Sequence, residues 1–560
     1  MKKPELLCPV GGFDSLGAAI LGGADAVYFG GKEFNARMNA KNMDREQIRG
    51  AILRLHEKGV RAYVTLNTLL TDRNLESALE FVSFLYESGC DALILADLGF
   101  SSLVHQLFPD FEIHASTQMS GHSLGAAEFL KEMGFSRMVL AREMDRENLS
   151  LLCKNAPIET EIFVHGAICA SASGQCLMSS MIGDRSGNRG QCAQPCRLPY
   201  NKGNYLLSFK DLCLGGHVNE ILSLPVSSLK IEGRMKSPEY VYTVARTWRT
   251  LLDEGRNITE KELSSLSRIF SRTGFTDGYF TGKKTVAMLG TRTSDDKQKT
   301  KETKVRFTDS GRKADAIKIE RKAAFFEMPP FPKKEKPVFH RSARFAAPEQ
   351  IPDTDFFREI YLPLDQFEKG KANGVILPAV IFPSEEKEVR KKLEFARENG
   401  ALHAYIGNVG HFPLVEGLDF ILHGDFRLNI TNSFSLDLFP ALSDLLVSPE
   451  CNSSQIRDLK GRKSTIVYGK IPVMLLEKDP GAKILTDRKG ISFAVLPEGK
   501  RFLVYNSAPF YMADKKKLLK EKGIENQHFI FSTESRKEVE KVITSYQKGL
   551  PMEGNIKRIK

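Results

Sequence analysis

Nine cysteines are spread over 560 residues, and four of them, Cys169, Cys176, Cys192 and Cys196, fall in the single segment HGAICASASGQCLMSSMIGDRSGNRGQCAQPCR. The gaps between them are six, fifteen and three residues. Thiolates are the soft ligands that iron–sulfur clusters and zinc prefer, and four of them complete either site. Zinc sites usually pair their cysteines at gaps of about two to four residues, and only the last pair comes near that. Spacing therefore points to a metal site and leaves both metals open; the plain alternative is four free thiols in a loop. Gly174, Gly183, Gly187 and Gly190 would let the loop fold tightly, and Arg185, Arg189 and Arg197 would offset the negative charge of thiolates. Cys213, in FKDLCL, reads as a buried thiol and a second-rank substitute ligand. Cys8, Cys90 and Cys153 sit in strand or helix patterns and read as core.

A second motif invites a different chemistry. Gly121-His122-Ser123-Leu124-Gly125 fits the G-x-S-x-G nucleophile elbow, but the polar stretch STQMS stands where an elbow needs an apolar strand. SLGAA also occurs twice, at Ser15 and at Ser123, each time opening a predicted helix, which is a helix-capping signature. Ser123 is expected to cap rather than to catalyse, and no H-E-x-x-H motif supports a metalloprotease.

The cysteine segment must be held by regular elements. From residue 4 to about 235 the runs ELLCPV, DAVYFGG, RAYVTLN, DALILAD, FEIHAS, RMVLARE, TEIFVHGA and SSLKIEG alternate with helical patterns. Eight such units predict an α/β fold, a (β/α)8 TIM-like barrel, over residues 1–285, although an open doubly wound sheet would show the same periodicity. The cysteines then begin where strand seven ends, at the rim where barrels place their chemistry. Residues 286–345 read as a basic linker or arm, and residues 346–560 as a degenerate α/β repeat of the first domain. Asp110-Phe111-Glu112-Ile113-His114 set beside Asp425-Phe426-Arg427-Leu428-Asn429 brings Val164-His165-Gly166 near Val467-Tyr468-Gly469, and Asp184-Arg185-Ser186-Gly187 near Asp487-Arg488-Lys489-Gly490. Pro472 stands where Cys169 would be, and no cysteine follows Cys451, so only the first copy carries the thiols.

Charge is equally local. The chain carries 80 Lys and Arg against 69 Asp and Glu, a net +11, and residues 281–345 alone hold 18 against 8. Phe307, Phe325, Phe326, Phe331 and Phe339 are interleaved with these cations. Such a segment could bind RNA by phosphate contacts and base stacking, or be a solvated linker whose rings pack on the barrel. No apolar run approaches the roughly 18 residues of a membrane helix and the start lacks a signal peptide. The cysteines are too sparse for a disulfide scaffold. A cytoplasmic protein without a membrane partner is expected.

The runs EIFVHGAICASASGQC, RGQCAQPCR, LKIEGRMKSPEYV and FSRTGFTDGYF resemble the U32 peptidase family over about residues 4–285. The longer architecture is similar to its rRNA 5-hydroxycytidine synthase branch. The resemblance implies a [4Fe-4S] cluster on Cys169, Cys176, Cys192 and Cys196, with structural zinc as runner-up, and hydroxylation without molecular oxygen. It implies an RNA pyrimidine as substrate, in rRNA or tRNA, with prephenate as co-substrate and iron–sulfur assembly machinery as partner. The family label implies a collagenase-like peptidase as the alternative. Thr273 departs from the commoner Arg-Gly-Phe pattern. A duplex base would have to be flipped out, so loops and bulges are the expected targets. His165 and Glu232, at adjacent strand ends, are candidates for proton transfer. Arg142, Arg185 and Arg234 are rim candidates for a dicarboxylate donor.

Overall fold

The computed structural model describes residues 3–322, 326–333 and 339–559. The eight apolar runs form β1 (Glu5–Pro9), β2 (Ala26–Phe29), β3 (Arg61–Leu66), β4 (Ala92–Leu95), β5 (Glu112–Ala115), β6 (Arg137–Val139), β7 (Glu159–Gly166) and, after the short β8 (Asp211–Cys213), β9 (Ser228–Ile231). β1 to β7 pair in parallel in sequence order, and β9 pairs in parallel with both β1 and β7. The sheet is thus a closed (β/α)8 barrel, not an open one. Alternation along the strands sorts the side chains. Leu6, Cys8, Val27, Phe29, Val64, Leu93 and Leu95 join the core beneath the helices, while Leu7, Ala26, Tyr28, Tyr63, Ala92 and Ile94 form a separate inner cluster. Because both faces are covered, the strands read as continuous apolar runs.

Charged side chains share the barrel's inside. Arg137 Nη1 lies 2.7 Å from Glu5 Oε1 and 3.3 Å from Glu161 Oε2, and Lys230 Nζ lies 2.7 Å from Glu161 Oε1. The ammonium of Lys230 also sits 4.5 Å from the ring centre of Tyr28. Burial pushes the Glu161 carboxyl up, but Lys230 and then Arg137 outweigh it and hold it down at about 2.

The worn repeat is a whole second barrel. Its eight strands, Arg341–Phe345, Glu359–Pro363, Gly374–Ile376, His403–Ile406, Ile421–Gly424, Leu445–Leu446, Lys463–Gly469 and Gln527–Phe531, are parallel and close on one another. The first of them lies within the stretch read as arm. After the seventh strand the chain adds an antiparallel sheet of Pro472–Leu476, Ile484–Thr486, Ser492–Glu498 and Arg501–Tyr505. The repeat register holds at strand seven, which ends on Gly166 in one copy and on Gly469 in the other. At strand five it slips. The turn Thr117–Met119 with left-handed Ser120 matches Phe426–Leu428 with left-handed Asn429, so Asp425 answers to Ser116 rather than to Asp110. Asp184 ends a helix whereas Asp487 opens a hairpin, so those two are not equivalent.

The copies meet through related loops. Asp97 caps the helix Leu98–Leu107 that follows β4, and Asn432, capping the helix after the fifth strand of the second barrel, donates from Nδ2 to both Asp97 oxygens at 2.9 and 2.8 Å. In the reciprocal contact Asn408, after the fourth strand of the second barrel, donates from Nδ2 to Ser120 O at 3.1 Å. The basic stretch then straps the first barrel at its strand starts. Arg312 Nε lies 2.8 Å from Asp25 Oδ1, Ile317 donates its amide to His56 O at 2.9 Å, and Arg321 Nη1 donates to Cys90 O at 2.6 Å. Phe331 reaches Phe434 of the second barrel with ring centres 5.3 Å apart.

Candidate functional site at the rim of the first barrel

The cysteine loop leaves β7 and is held from both sides. Glu143, buried just past β6, accepts from the amide and the hydroxyl of Ser173, each at 2.9 Å. Ser120 donates from Oγ to Ser173 O at 2.7 Å. From the second barrel, the strand Pro472–Leu476 accepts the Ala172 amide at Leu475 O, 2.7 Å away, and the Leu177 amide at Val473 O, 2.8 Å away. Gly174 and Gly190 take left-handed backbone, φ 78° and 82°, where a side chain would also run into Gln118 O and Asn35 O. Gly183 and Gly187 take no such conformation.

Cys169 and Cys192 are exposed at the loop surface, and Cys176 and Cys196 are half-buried. Burial pushes the Cys176 thiol up, and the charges of Cys192, Cys196 and Cys169 push it further. Burial likewise pushes Cys196 up to about 11, with Arg197 opposing and Cys169 and Cys192 reinforcing. The four thiols therefore feel one another's charge. Among the described residues, no three His, Cys, Asp or Glu side chains gather closely enough to hold a single metal ion. Cys213 faces a different environment. Burial pushes it up to about 11, and its charged neighbour is Asp277 rather than a loop thiol.

Beside the loop lies a cationic pocket of the barrel mouth with one carboxylate. Glu232, the residue after β9, has its Oε2 3.3 Å from Arg37 Nη2 and 3.4 Å from Arg142 Nη2. The guanidinium of Arg142 stacks 4.0 Å over Phe163. Burial pushes the Glu232 carboxyl up, but Arg37, then Arg142, Lys230 and Arg234, outweigh it and hold it below the usual carboxylate range. Arg37 also feels the charges of Cys169 and Cys192, which ties this pocket to the thiols. Arg234 is buried and, among the described residues, donates to neutral oxygens only, those of Asn35 at 3.3 Å, Thr65 at 3.1 Å and Asn42 at 2.7 Å.

The other predicted residues are not all gathered there. Arg185 is exposed on the loop, donating from Nε to Gln191 O at 3.1 Å beside Cys192. Arg197 braces the loop, its Nη2 donating to Ile168 O at 3.0 Å. His165 does not share the mouth with the Glu232 carboxylate. A bulge at the end of β7 pairs Phe163 with Lys230 but His165 with Ile231, which turns the imidazole outward between Tyr240 and Phe275, with ring centres 6.1 and 5.2 Å away. Burial drives its pKa down to about 3, with Lys236 adding to the effect. Ser123 caps the helix Leu124–Glu132 by accepting from Ala126 N at 3.2 Å, as its sequence context predicts.

Two residues of the site escaped the sequence reading. Glu143 and Arg37 were hidden because an isolated charge past a strand end looks like surface. The signal available was the run FNARMNAKN shortly after β2, whose Asn35 and Asn42 are buried and hold Arg234. The phenylalanines of the arm are already occupied by the protein. Phe307 stacks on Tyr242 at 4.7 Å and 18°, Phe326 lies 6.1 Å from Phe108, and Phe331 meets Phe434. Phe339 is half exposed with Arg341 4.6 Å over its ring, and Phe325 lies outside the described residues. The base-stacking expectation is therefore corrected for Phe307, Phe326 and Phe331. No helix among the described residues is long and apolar enough to cross a membrane.

Comparison with known proteins gives this site its relatives. A family model described as peptidase family U32 matches residues 11–289. Over 259 residues the chain is 40% identical to the 23S rRNA 5-hydroxycytidine synthase of Escherichia coli, covering 44% of this chain and 39% of that protein. Over 268 residues it is 35% identical to the tRNA hydroxylation protein P1 of Bacillus subtilis, covering 45% and 64%. Over 304 residues it is 34% identical to an uncharacterized protease of Methanocaldococcus jannaschii, covering 50% and 74%. The matched region thus spans 39% and 64% of the two hydroxylation proteins. The family model covers about the first half of the chain, where the thiols and the Glu232 pocket lie, and the chain belongs to peptidase family U32.

Proposed function

We propose that the chain is an iron–sulfur-dependent, oxygen-independent RNA pyrimidine hydroxylase, making 5-hydroxycytidine in rRNA or 5-hydroxyuridine in tRNA, with prephenate as co-substrate. The observation that carries this reading is the adjacency of four mutually coupled thiols to a pocket of three guanidiniums and one carboxylate. Cys169, Cys176, Cys192 and Cys196 would hold a [4Fe-4S] cluster, loaded by iron–sulfur assembly machinery in the cytoplasm. The gaps of six, fifteen and three residues, only the last of them near a zinc spacing, favour a multi-iron cluster over the zinc alternative. When bound, the cluster supplies one-electron chemistry at the mouth of the barrel.

The chain's own residues supply the rest. Glu232, anionic at neutral pH and hydrogen-bonded to Arg37 and Arg142, is the proton acceptor at its carboxylate oxygens. Arg37, Arg142 and Arg234 leave a surplus of positive charge suited to a dicarboxylate such as prephenate. Arg185, exposed beside Cys192, meets the incoming substrate. His165, neutral and enclosed, takes no part in proton transfer and packs the base of the rim. RNA as substrate is supported by the names of the two hydroxylation relatives. The peptidase alternative has the family label and the name of the Methanocaldococcus relative behind it, but Ser123, the nucleophile its motif would offer, is a buried cap.

The test is mass spectrometry of rRNA and tRNA nucleosides from a deletion strain complemented with wild type or with Cys176→Ala, together with iron and acid-labile sulfide content after anaerobic purification. One hydroxypyrimidine should be missing in the deletion, return with wild type, and stay missing with the variant, whose protein should lack iron and sulfide. An unchanged nucleoside profile, or a wild-type protein free of iron and sulfide, refutes the reading. Gelatin cleavage that survives loss of all four cysteines would favour the peptidase.

A further inference from the structure

Outside the barrel mouth, on the far side of the Glu232–Lys236 segment, three cations gather round one ring. Lys236 Nζ lies 2.7 Å from the ring centre of Phe270, Arg292 Cζ 4.3 Å and Arg272 Cζ 5.2 Å. All four side chains are half-buried and so reachable from solvent. A ring face attracts a cation by about 0.5–2 kcal/mol, which does not neutralise it, and three like charges at this range repel one another.

The anions around the group do not balance it. Asp211, itself buried, is paired with Arg272 Nη1. Asp296 spends its oxygens on the amides of Thr273 and Thr293 and the hydroxyls of Thr293 and Ser271. Glu232 belongs to Arg37 and Arg142 across the segment. Arg292 donates from Nη2 to Thr300 Oγ1 at 3.0 Å, and its Nε is buried with no hydrogen-bond partner. The Lys236 ammonium has neither a hydrogen bond nor an ion pair among the described residues and lies against the rings of Phe270 and Tyr240. Burial pushes its ammonium down to about 7, with Arg272 and Arg292 pushing the same way against Asp211. The backbone is committed to this arrangement. Thr273, a β-branched residue, holds left-handed backbone at φ 57° with its Oγ1 on Arg272 O at 2.6 Å, a strained conformation that fixes the direction of Arg272.

We propose that Lys236, Arg272 and Arg292 form a phosphate-binding site and that, on the RNA reading above, it takes a phosphodiester of the substrate backbone. Two guanidiniums and an ammonium offer convergent charged donors to a tetrahedral oxyanion, and a site that reads charge and not sequence is what a backbone contact requires.

The experiment uses the full chain, with Lys236→Met and Arg292→Met, which keep aliphatic bulk over Phe270; thermal unfolding confirms that each variant is folded, and Lys236→Arg serves as the conservative rescue. In one arm, affinity for single-stranded RNA is measured against salt. Each Met variant should lower the slope of log K against log salt by about 0.7, uniformly across sequences, and Lys236→Arg should restore it. In the other arm, inorganic phosphate is titrated by calorimetry; wild type should bind it saturably and both Met variants should not. Phosphate binding with an unaltered RNA slope would assign the site to a free phosphate group. Saturable phosphate binding by a wild type that does not bind RNA would leave the site standing and sink the RNA reading. Folded Met variants that match wild type in both arms overturn the site.

Discussion

Replacing Glu232 by glutamine keeps the shape of the side chain and removes its charge, which leaves Arg37, Arg142 and Arg234 without their shared anion. Arg234 is buried, the Arg142 side chain is only 9% exposed, and the carboxylate oxygen lies 3.3 and 3.4 Å from two guanidiniums. Breaking a buried pair by removing one partner costs about 3–5 kcal/mol. The Arg37 side chain is 36% exposed and can turn toward water, which places the loss near the lower end. At about 2–4 °C per kcal/mol for a domain of this size, roughly 3 kcal/mol lowers Tm by roughly 6–12 °C. The pH dependence has a definite sign. The folded pKa of Glu232 is depressed, so its contribution is complete above the unfolded value of about 4.3 and is lost as pH falls through the folded value. The gap between wild type and Glu232→Gln in scanning calorimetry should therefore be constant from pH 8 to pH 5 and close as pH falls below 4. A variant as stable as wild type at pH 7, or a gap that widens on acidification, would refute the closed charge cluster.

Lys230→Met removes one of the two cations that hold Glu161 at about 2. The folded pKa of Glu161 should rise, and the acid-unfolding midpoint, followed by the fluorescence of the single buried tryptophan Trp248, should move to higher pH. An unmoved midpoint would mean that Arg137 alone suffices. Phe307→Ala removes a half-buried ring stacked on Tyr242 and should cost about 2 kcal/mol in denaturant unfolding, with the RNA salt slope unchanged; a changed slope would return this ring to the nucleic-acid interface. Ser123→Ala should cost about 1 kcal/mol through loss of the cap on Ala126 N, with nucleoside modification intact. Loss of modification at wild-type stability would revive a chemical role for that hydroxyl.

The first barrel was legible because parallel strands covered on both faces must be apolar throughout, and eight such runs closed as expected. The second half reads only as a degenerate α/β repeat, and three of its strands show why it hides a whole barrel. Arg341–Phe345 carries Arg344 inward to Asp425, Glu359–Pro363 begins on a buried glutamate, and Gln527–Phe531 includes buried His528, so polar interior positions broke the apolar run. The four cysteines were legible from type and spacing, and Glu232 and Arg142 from their places at strand ends. His165 was misread because a single-residue bulge reverses which face a side chain takes, and no local sequence signal marks that bulge. Lys236 was hidden as part of an apparently solvated Arg-Met-Lys run. Its setting depends on Phe270 and Arg292, which the fold brings in from more than thirty residues downstream.

The second barrel has lost the thiols and kept the position. In each copy the segment after strand seven departs from the rim, as the cysteine loop in one and as Pro472–Leu476 in the other. These two segments are joined to each other, through the amides of Ala172 and Leu177 and through Leu475 N donating to Ser171 Oγ at 3.2 Å. Cys169 and Cys176 lie at the two ends of the stretch so clamped. Ile168, Leu177, Met178 and Met181 anchor the loop in the core, and the neighbouring strand adds directional hydrogen bonds to the stretch between the exposed Cys169 and the half-buried Cys176. The mouth of the second barrel is correspondingly filled. Arg501 pairs with Glu477 and Glu385, and Arg344 with Asp425, where the first barrel leaves a cationic pocket with one carboxylate. Ion pairs that are complete leave no charge for a ligand to answer, whereas Arg37, Arg142 and Arg234 around Glu232 do. The duplicated fold has thus divided two demands that oppose each other, keeping unbalanced charge where chemistry needs it and spending balanced charge and a free strand edge on holding that site in place.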